Sequence, residues 1–299
     1  MRFIRQKYNL NFGVMVQPQQ SKYIQDYQGV HVDTVRNVVN VSPTLDFRYR
    51  FSKMSNLRIN YRGTTSQPSI SQLLDITDNS DPLNISMGNP GLKPSFTQNF
   101  RLFYNNFVQN HNKGIMTFVN FSTTNNSISN KVTYDETTGG RITRPENING
   151  NWNAMGAFMF NCSIDSAGVW NINTGAHANY NNYVSYLSLD KKSDSQKNTT
   201  RSITWRQNLS FSYRNDWAEF SLDGTLTYNK AKNKLQPTSN LETWQFSYGP
   251  SMTLTAPWGT SLNSSLSINS RRGYNDSSMN TDEFVWNAQL SQGFLKGKP

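Results

Sequence analysis

Residues 203–228 read ITWRQNLSFSYRNDWAEFSLDGTLTY. Two runs of strict alternation meet at Arg214–Asp216. In the first, Ile203, Trp205, Leu209, Phe211 and Tyr213 oppose Thr204, Arg206, Asn208, Ser210 and Ser212. In the second, Ala218, Phe220, Leu222, Leu226 and Tyr228 oppose Glu219, Ser221, Asp223, Thr225 and Thr227. A period of two puts successive side chains on opposite faces of a strand. Each run is therefore a strand with one apolar and one polar face. The polar residues between them favour a tight turn, which makes the pair an antiparallel hairpin.

The pattern extends in both directions. Residues 244–256 set Trp244, Phe246, Tyr248, Met252, Leu254 and Ala256 against Gln245, Ser247, Ser251, Thr253 and Thr255. Residues 260–270, 96–104 and 284–290 behave alike. Twelve strands are expected, at 3–17, 38–51, 55–66, 95–108, 114–134, 142–163, 168–188, 200–214, 217–234, 242–256, 259–272 and 281–294. One alternates poorly near 114–124, since Met116 and Phe118 oppose Ile115, Val119 and Phe121. Short turns fall at 52–55, 109–113, 165–168, 214–216 and 257–259. Long loops fall at 18–37, 67–94, 135–141, 189–199, 235–241 and 273–280.

Every second connection is thus short. In an up-and-down barrel this gathers the tight turns at one rim and the long loops at the other, the asymmetry of outer-membrane barrels. Strand length agrees, because spanning a bilayer takes about 9–11 tilted residues and strands of globular proteins usually run about 5–6. Tyr49, Phe51, Tyr213, Trp217, Tyr228, Trp244 and Trp258 lie towards strand ends, where interfacial girdles need amphipathic rings. The competing architectures are a soluble sandwich, propeller or lectin-like sheet. These would have shorter strands and no sustained short–long rhythm. The fold class expected is therefore all-β, an antiparallel up-and-down transmembrane barrel.

Composition fits two faces. The 299 residues include 39 Asn, 34 Ser and 25 Thr, while only 16% are charged and 13% are aromatic. Mean hydropathy is −0.68. So many aromatics argue against disorder, and no run approaches the 18 apolar residues of a membrane helix. Net charge is +10. The basic residues are dispersed, the densest group being Lys191-Lys192 with Lys197 and Arg201, so no nucleic-acid patch is expected. Cys162 stands alone, which excludes an internal disulfide and a Cys/His zinc set. The first residues, MRFIRQKYNLNFGVMV, lack a signal peptide's apolar segment and cleavage site.

Candidate chemistry is sparse. Asp75, Asp78, Asn79 and Asp81 offer oxygens to a calcium ion, yet their spacing lacks the glycine and terminal glutamate of an EF-hand loop. Turn capping by these side chains is the simpler expectation. His31, His111 and His177 form no Ser/His/Asp spacing, so no enzyme, catalytic residue, cofactor or metal is expected. Arg48, Arg50, Arg101, Arg206 and His177 fall on the polar phase of their strands and are candidates to line a lumen. Arg58 and Arg62 share that phase. They would line an anion path or build a structural ladder of ion pairs.

The segment at 61–104, YRGTTSQPSISQLLDITDNSDPLNISMGNPGLKPSFTQNFRLFY, resembles a barrel segment of the Bacteroidetes outer-membrane β-barrel proteins that look like TonB-dependent receptors. The carrying residues are Gln67-Pro68-Ser69, Gln72-Leu73, Asp78-Asn79-Ser80-Asp81-Pro82-Leu83, Gly88-Asn89-Pro90, Leu92-Lys93-Pro94 and Asn99-Phe100. Phe294-Leu295-Lys296-Gly297-Lys298 resembles the turn before that family's last strands. The resemblance implies a 22-stranded barrel, an N-terminal plug, and nutrient uptake powered by a TonB complex. Its partners would include outer-membrane lipid and a surface lipoprotein. The chain shows no plug, no TonB-contacting segment and no final strand ending in an aromatic residue. It is therefore expected to be one portion, residues 1–299, of a larger barrel, with a role for the motif loop in ordering the chain. A passive porin or structural outer-membrane barrel, and a soluble glycan-binding β protein, are the alternatives in function.

Overall fold

The computed structural model describes residues 1–27, 30–74, 77–78, 80–134, 140–188 and 194–293. Asp75, Asn79, the Lys191-Lys192 pair and the Phe294–Lys298 segment lie outside the described residues, and so does the side chain of His111. In chain order the elements are β1 (Arg2–Ile4), β2 (Tyr8–Tyr27), β3 (Val30–Ser52), β4 (Ser55–Ser66) and the single-turn helix α1 (Ile70–Leu73). Next come β5 (Thr77–Asp78), β6 (Asn84–Met87), β7 (Ser95–Val108), β8 (Lys113–Asn125), β9 (Ser127–Tyr134), β10 (Arg141–Ile148) and β11 (Asn151–Ser163). The last six are β12 (Trp170–Leu187), β13 (Gln196–Arg214), β14 (Ala218–Asn233), β15 (Leu241–Thr255), β16 (Thr260–Arg272) and β17 (Asp282–Gln292).

Thirteen strands form one meander in the order β1-β2-β3-β4-β7-β8-β11-β12-β13-β14-β15-β16-β17. Each neighbouring pair is antiparallel. Among the described residues the sheet stays open, with β1 and β17 at its edges. Apart from β1, its strands are 11 to 23 residues long.

Register fixes the faces. One cross-strand row runs Leu10, Phe47, Ile59, Leu102, Val119, Gly156, Ala178, Trp205, Tyr228, Trp244. The next row, on the other face, runs Asn9, Arg48, Arg58, Phe103, Phe118, Ala157, His177, Arg206, Thr227, Gln245, Arg271. The alternation read from the sequence therefore becomes one aromatic face and one Asn/Ser/Thr face. Gln207 lies on the aromatic face, where its amide donates to Thr174 Oγ1 at 2.7 Å instead of facing hydrocarbon unpaired.

Rings on the aromatic face touch across strands. Towards the long-loop rim, Tyr61, Phe100, Phe121, Trp152 and Tyr180 make a chain with centroid separations of 4.7, 6.3, 6.0 and 4.9 Å. Towards the short-turn rim, Trp170 packs on Phe211 and Tyr213, and Tyr213 on Phe220. These are two belts, as an interfacial face requires. The aromatic face is also uncovered: Leu209 is 56% exposed, Leu222 56%, and Phe284 and Trp286 72% each. Among the described residues the buried hydrophobic side chains are only Leu92, Ile148, Val184 and Ala218. A sheet so exposed on its apolar side needs an apolar solvent or a large partner.

The structure revises several sequence boundaries. The expected loop at 18–37 is strand: β2 and β3 stay paired up to Tyr27 opposite Val30. The expected strand 114–134 breaks at Asn126, whose φ is +54°, and 142–163 breaks at Gly150, whose φ is +116°. The loop at 67–94 contains α1, β5 and β6. Beyond these breaks β9 and β10 leave the wall and join a second sheet, ordered β5-β6-β10-β9, with β10 parallel to β6.

The hairpin crosses over itself. In the wall β8 lies on the β7 side and β11 on the β12 side. Above the break, β10 lies next to β6 and β9 next to the β12–β13 connection. There Ser195 N donates to Val132 O at 2.7 Å and Tyr186 N donates to Ser129 Oγ at 3.2 Å. Short polar links hold the crossing: Asn126 N to Asn149 Oδ1 at 2.6 Å, and Asn182 Nδ2 to Gly150 O at 2.7 Å. A Cβ on Gly150 would sit 2.9 Å from Val184 Cγ2. Its φ also lies where side chains are strained. Gly150→Ala is therefore expected to destabilise the crossing by about 1–3 kcal/mol. Amide exchange at Val132 and Ser195 should accelerate while β15 and β16 keep their protection; unchanged exchange at Val132 and Ser195 would show that the crossing does not depend on Gly150.

Candidate functional site

The motif loop builds a junction between the wall and the second sheet. Ser69 and Gln72 form a capping box on α1: Ser69 Oγ accepts from Gln72 N at 3.3 Å, and Gln72 Oε1 accepts from Ser69 N at 3.0 Å. Arg36 on β3 donates to Pro68 O and Gln67 Oε1, both at 3.1 Å, and Gln67 Nε2 donates to Asn40 Oδ1. Gly88 is buried against α1, where a Cβ would lie 1.7 Å from Leu74 O, so only glycine fits.

Asn89 is a hub. Its side chain donates to Pro145 O at 2.9 Å and accepts from Gly91 N and Arg144. Asn147 on β10 closes the other side: its Oδ1 accepts from Lys93 N at 2.7 Å, and its Nδ2 donates to Lys93 O and Asn126 O. Asn126 Nδ2 donates to Pro94 O at 3.5 Å. Leu92 is buried beneath, 6% exposed, while Pro82, Pro90 and Pro94 are exposed. The stretch Gly88–Pro94 is thus a clamp on the crossed hairpin.

The described acidic side chains of this loop, Asp78 and Asp81, serve its turns. Asp78 Oδ1 accepts from Ser80 N and Oγ. Asp81 accepts from Leu83 N at 3.0 Å and Asn84 Nδ2 at 2.7 Å, and these bonds, the Asn84 one first, hold its carboxyl below the usual range. No cluster of three metal-ligating side chains exists among the described residues.

The candidate lumen residues share one face. Arg48, Arg206 and His177 lie in one row, His177 directly opposite Arg206 and Arg48 opposite Arg58. Arg101 lies one row towards the long-loop rim and Arg50 one row towards the short-turn rim. The ion-pair ladder is nearly absent. Arg58 pairs with Asp46 at 2.7 Å, Arg101 and Arg206 reach only Asn120 and Asn208, and the side chains of Arg48, Arg50 and His177 bond to none of the described residues.

Sequence reasoning missed what lies between these cations. On the same face β7, β8 and β11 carry Phe103, Phe107, Met116, Phe118, Met155 and Met159. This is an apolar island in a largely polar surface, and Met159 is 52% exposed. The poor alternation at 114–124 was its signal. It became legible only when register placed Phe118 between Phe103 and Ala157.

The comparisons agree with this architecture. The model of the outer membrane protein beta-barrel family matches residues 4–224. The chain belongs to that family. The outer membrane is accordingly its location, and outer-membrane lipid the medium its aromatic face meets. No curated protein matches the chain. Among solved structures it is similar to LpxR from Salmonella typhimurium, with 7% identity and a TM-score of 0.25, over 85% of this chain and 88% of that one. A likeness at that level carries no argument about this family member's chemistry.

The clamp itself is testable. Asn147→Ala removes three polar links and should cost about 1–3 kcal/mol of local stability, with Asn147→Asp intermediate because it keeps the acceptor for Lys93 N. Limited proteolysis should cut faster within 74–94 in that order while the wall resists; equal cutting in all three proteins would assign the loop's order to other contacts.

Proposed function

We propose that this chain is wall of an outer-membrane importer of the TonB-dependent-receptor type, taking up a scarce nutrient such as a glycan, peptide or metal chelate. The observation that carries the proposal is the segregation of the sheet: aromatic belts on one face and, apart from the apolar island, an Asn/Ser/Thr/Arg surface on the other. A polar, mostly uncharged lining lets hydrated solutes pass without trapping them. The second sheet and the long β2–β3 hairpin stand at the long-connection rim, where a solute or a surface lipoprotein would first be met.

A plug domain and a TonB complex would supply gating and energy in this scheme. Transport is read in preference to catalysis because His177 faces Arg206, and the one histidine–carboxylate pair among the described residues, His31 with Asp26 at 2.5 Å, has no hydroxyl nucleophile bonded to it.

The test is accumulation of labelled oligosaccharides, peptides and ferric chelates by cells with and without this protein, in backgrounds with intact or deleted TonB. The importer reading expects accumulation of one class that disappears on loss of either. Accumulation that persists without TonB identifies a passive porin, and equal accumulation with and without the protein removes transport altogether.

A further inference from the structure

We infer that the apolar island and the cations framing it form a binding site for an amphipathic carboxylate, a small solute with an apolar body and one anionic head. This goes beyond uptake of an unspecified nutrient by naming the solute's chemistry. It rests on the polar face being the wet one.

Three observations converge. The first is the island. Exposed apolar surface on a water-lined face is unfavourable unless something covers it. Phe107, Met116 and Met159 are 38%, 39% and 52% exposed, and Phe103, Phe118 and Met155 are half-buried beside them. Half of the six are methionines, whose flexible thioethers adapt to varied apolar shapes.

The second is charge. In three of the four rows that cross the island, between β3 and β13, lie Arg48, Arg50, Arg58, Arg101 and Arg206, with His177 beside Arg206. The only acidic residue in those rows is Asp46, and it is held by Arg58 at 2.9 and 2.7 Å. An anion is attracted to such a field and a cation repelled.

The third is shape. Gly175 lies between Met159 and Asn208 in register and presents no side chain. Around it is a depression of about 490 Å³ lined on the polar face by Met159, Asn161, Asn173, Asn208, Ser210 and Asp223. That volume suits a small ligand. Asp223, held by Ser221 Oγ at 2.6 Å, closes the end towards the short-turn rim. It repels an anionic head there, while Arg206 and His177, one row beyond the depression towards the long-loop rim, attract it. The solute's orientation follows: head at Arg206, body on Met159 and Phe118. A neutral sugar would waste the island, and an inorganic anion would have no use for it.

The experiment is calorimetric titration of the full chain in nanodiscs, against empty nanodiscs. The probes are 4-phenylbutyrate, its neutral amide and the cation 4-phenylbutylamine, all soluble in water. The carboxylate is expected to bind roughly tenfold more tightly than the amide or amine, the factor of one charge-assisted contact. Arg206→Gln and Phe118→Asn should each weaken it by a similar factor. Arg214→Gln, distant at the short-turn rim, should not. Heat-modifiable gel migration checks that each variant folds.

Equal binding of acid and amide, or folded variants that bind like the parent, would overturn the site. So would absence of binding, and an island engineered with Met159→Cys that resists aqueous thiol reagents would then show that protein covers it. Because the readout is equilibrium binding, it fails independently of accumulation in cells: transport without this binding refutes the site alone, and binding without transport refutes only the importer.

Discussion

A backbone crossing hydrocarbon has no water to satisfy its N–H and C=O groups, and each one left unpaired costs several kcal/mol. The continuous antiparallel ladder from β2 to β17 answers that constraint for every strand inside it, leaving only the sheet's two edges to be paired, and the rest of the structure follows from it. Once the ladder is laid down, side chains must alternate. One set then meets lipid and the other water, which is why a chain with a mean hydropathy of −0.68 exposes Leu209, Leu222, Phe284 and Trp286. The conventional core nearly vanishes. Three of the four buried hydrophobic residues among those described, Leu92, Ile148 and Val184, sit around the motif loop and the crossing rather than in the middle of the wall.

The crossing shows where the ladder rule is relaxed. Asn126 and Gly150 adopt positive φ at the point where β8 gives way to β9 and β10 to β11, and the chain leaves and re-enters the wall. Beyond it, backbone groups are satisfied by asparagine side chains instead of by neighbouring wall strands: Asn149 accepts from Asn126 N, Asn147 clasps Lys93, and Asn89 reaches Pro145 O. Asparagine can donate and accept at once, so it replaces a ladder bond on either side. The abundance of asparagine is therefore not only lumen chemistry. Part of it is the joinery of the long-connection rim.

Much of the wall was legible because period two is a local property. Residues 203–228 alone identify two strands, a turn and both faces, and the structure pairs Tyr213 with Phe220 as that hairpin requires. The extension of the β2–β3 hairpin beyond residues 17 and 38 was not legible, because Pro18–Gln20 offer no apolar residue to alternate and are held by pairing to Val39, Val38 and Asn37. The breaks at Asn126 and Gly150 were missed for a similar reason: strand propensity continues across them, and only the neighbouring β12 and motif loop redirect the chain. The motif residues were visible as a group, but their clamp needs Asn147, 53 positions after Pro94 in the sequence and bonded to Lys93. The apolar island was visible only as a defect in alternation, since its meaning depends on register with β7 and β11.

The central claim is that the two faces meet different solvents. Nitroxide labels placed singly at residues 203–213, with Cys162 replaced by serine and the protein in lipid bilayers, measure this directly by collision with oxygen and with a water-soluble nickel chelate. The account predicts a period of two: high oxygen and low nickel accessibility at 203, 205, 209, 211 and 213, and the reverse at 204, 206, 208, 210 and 212. Uniform nickel accessibility along the strand, or no alternation, would contradict it.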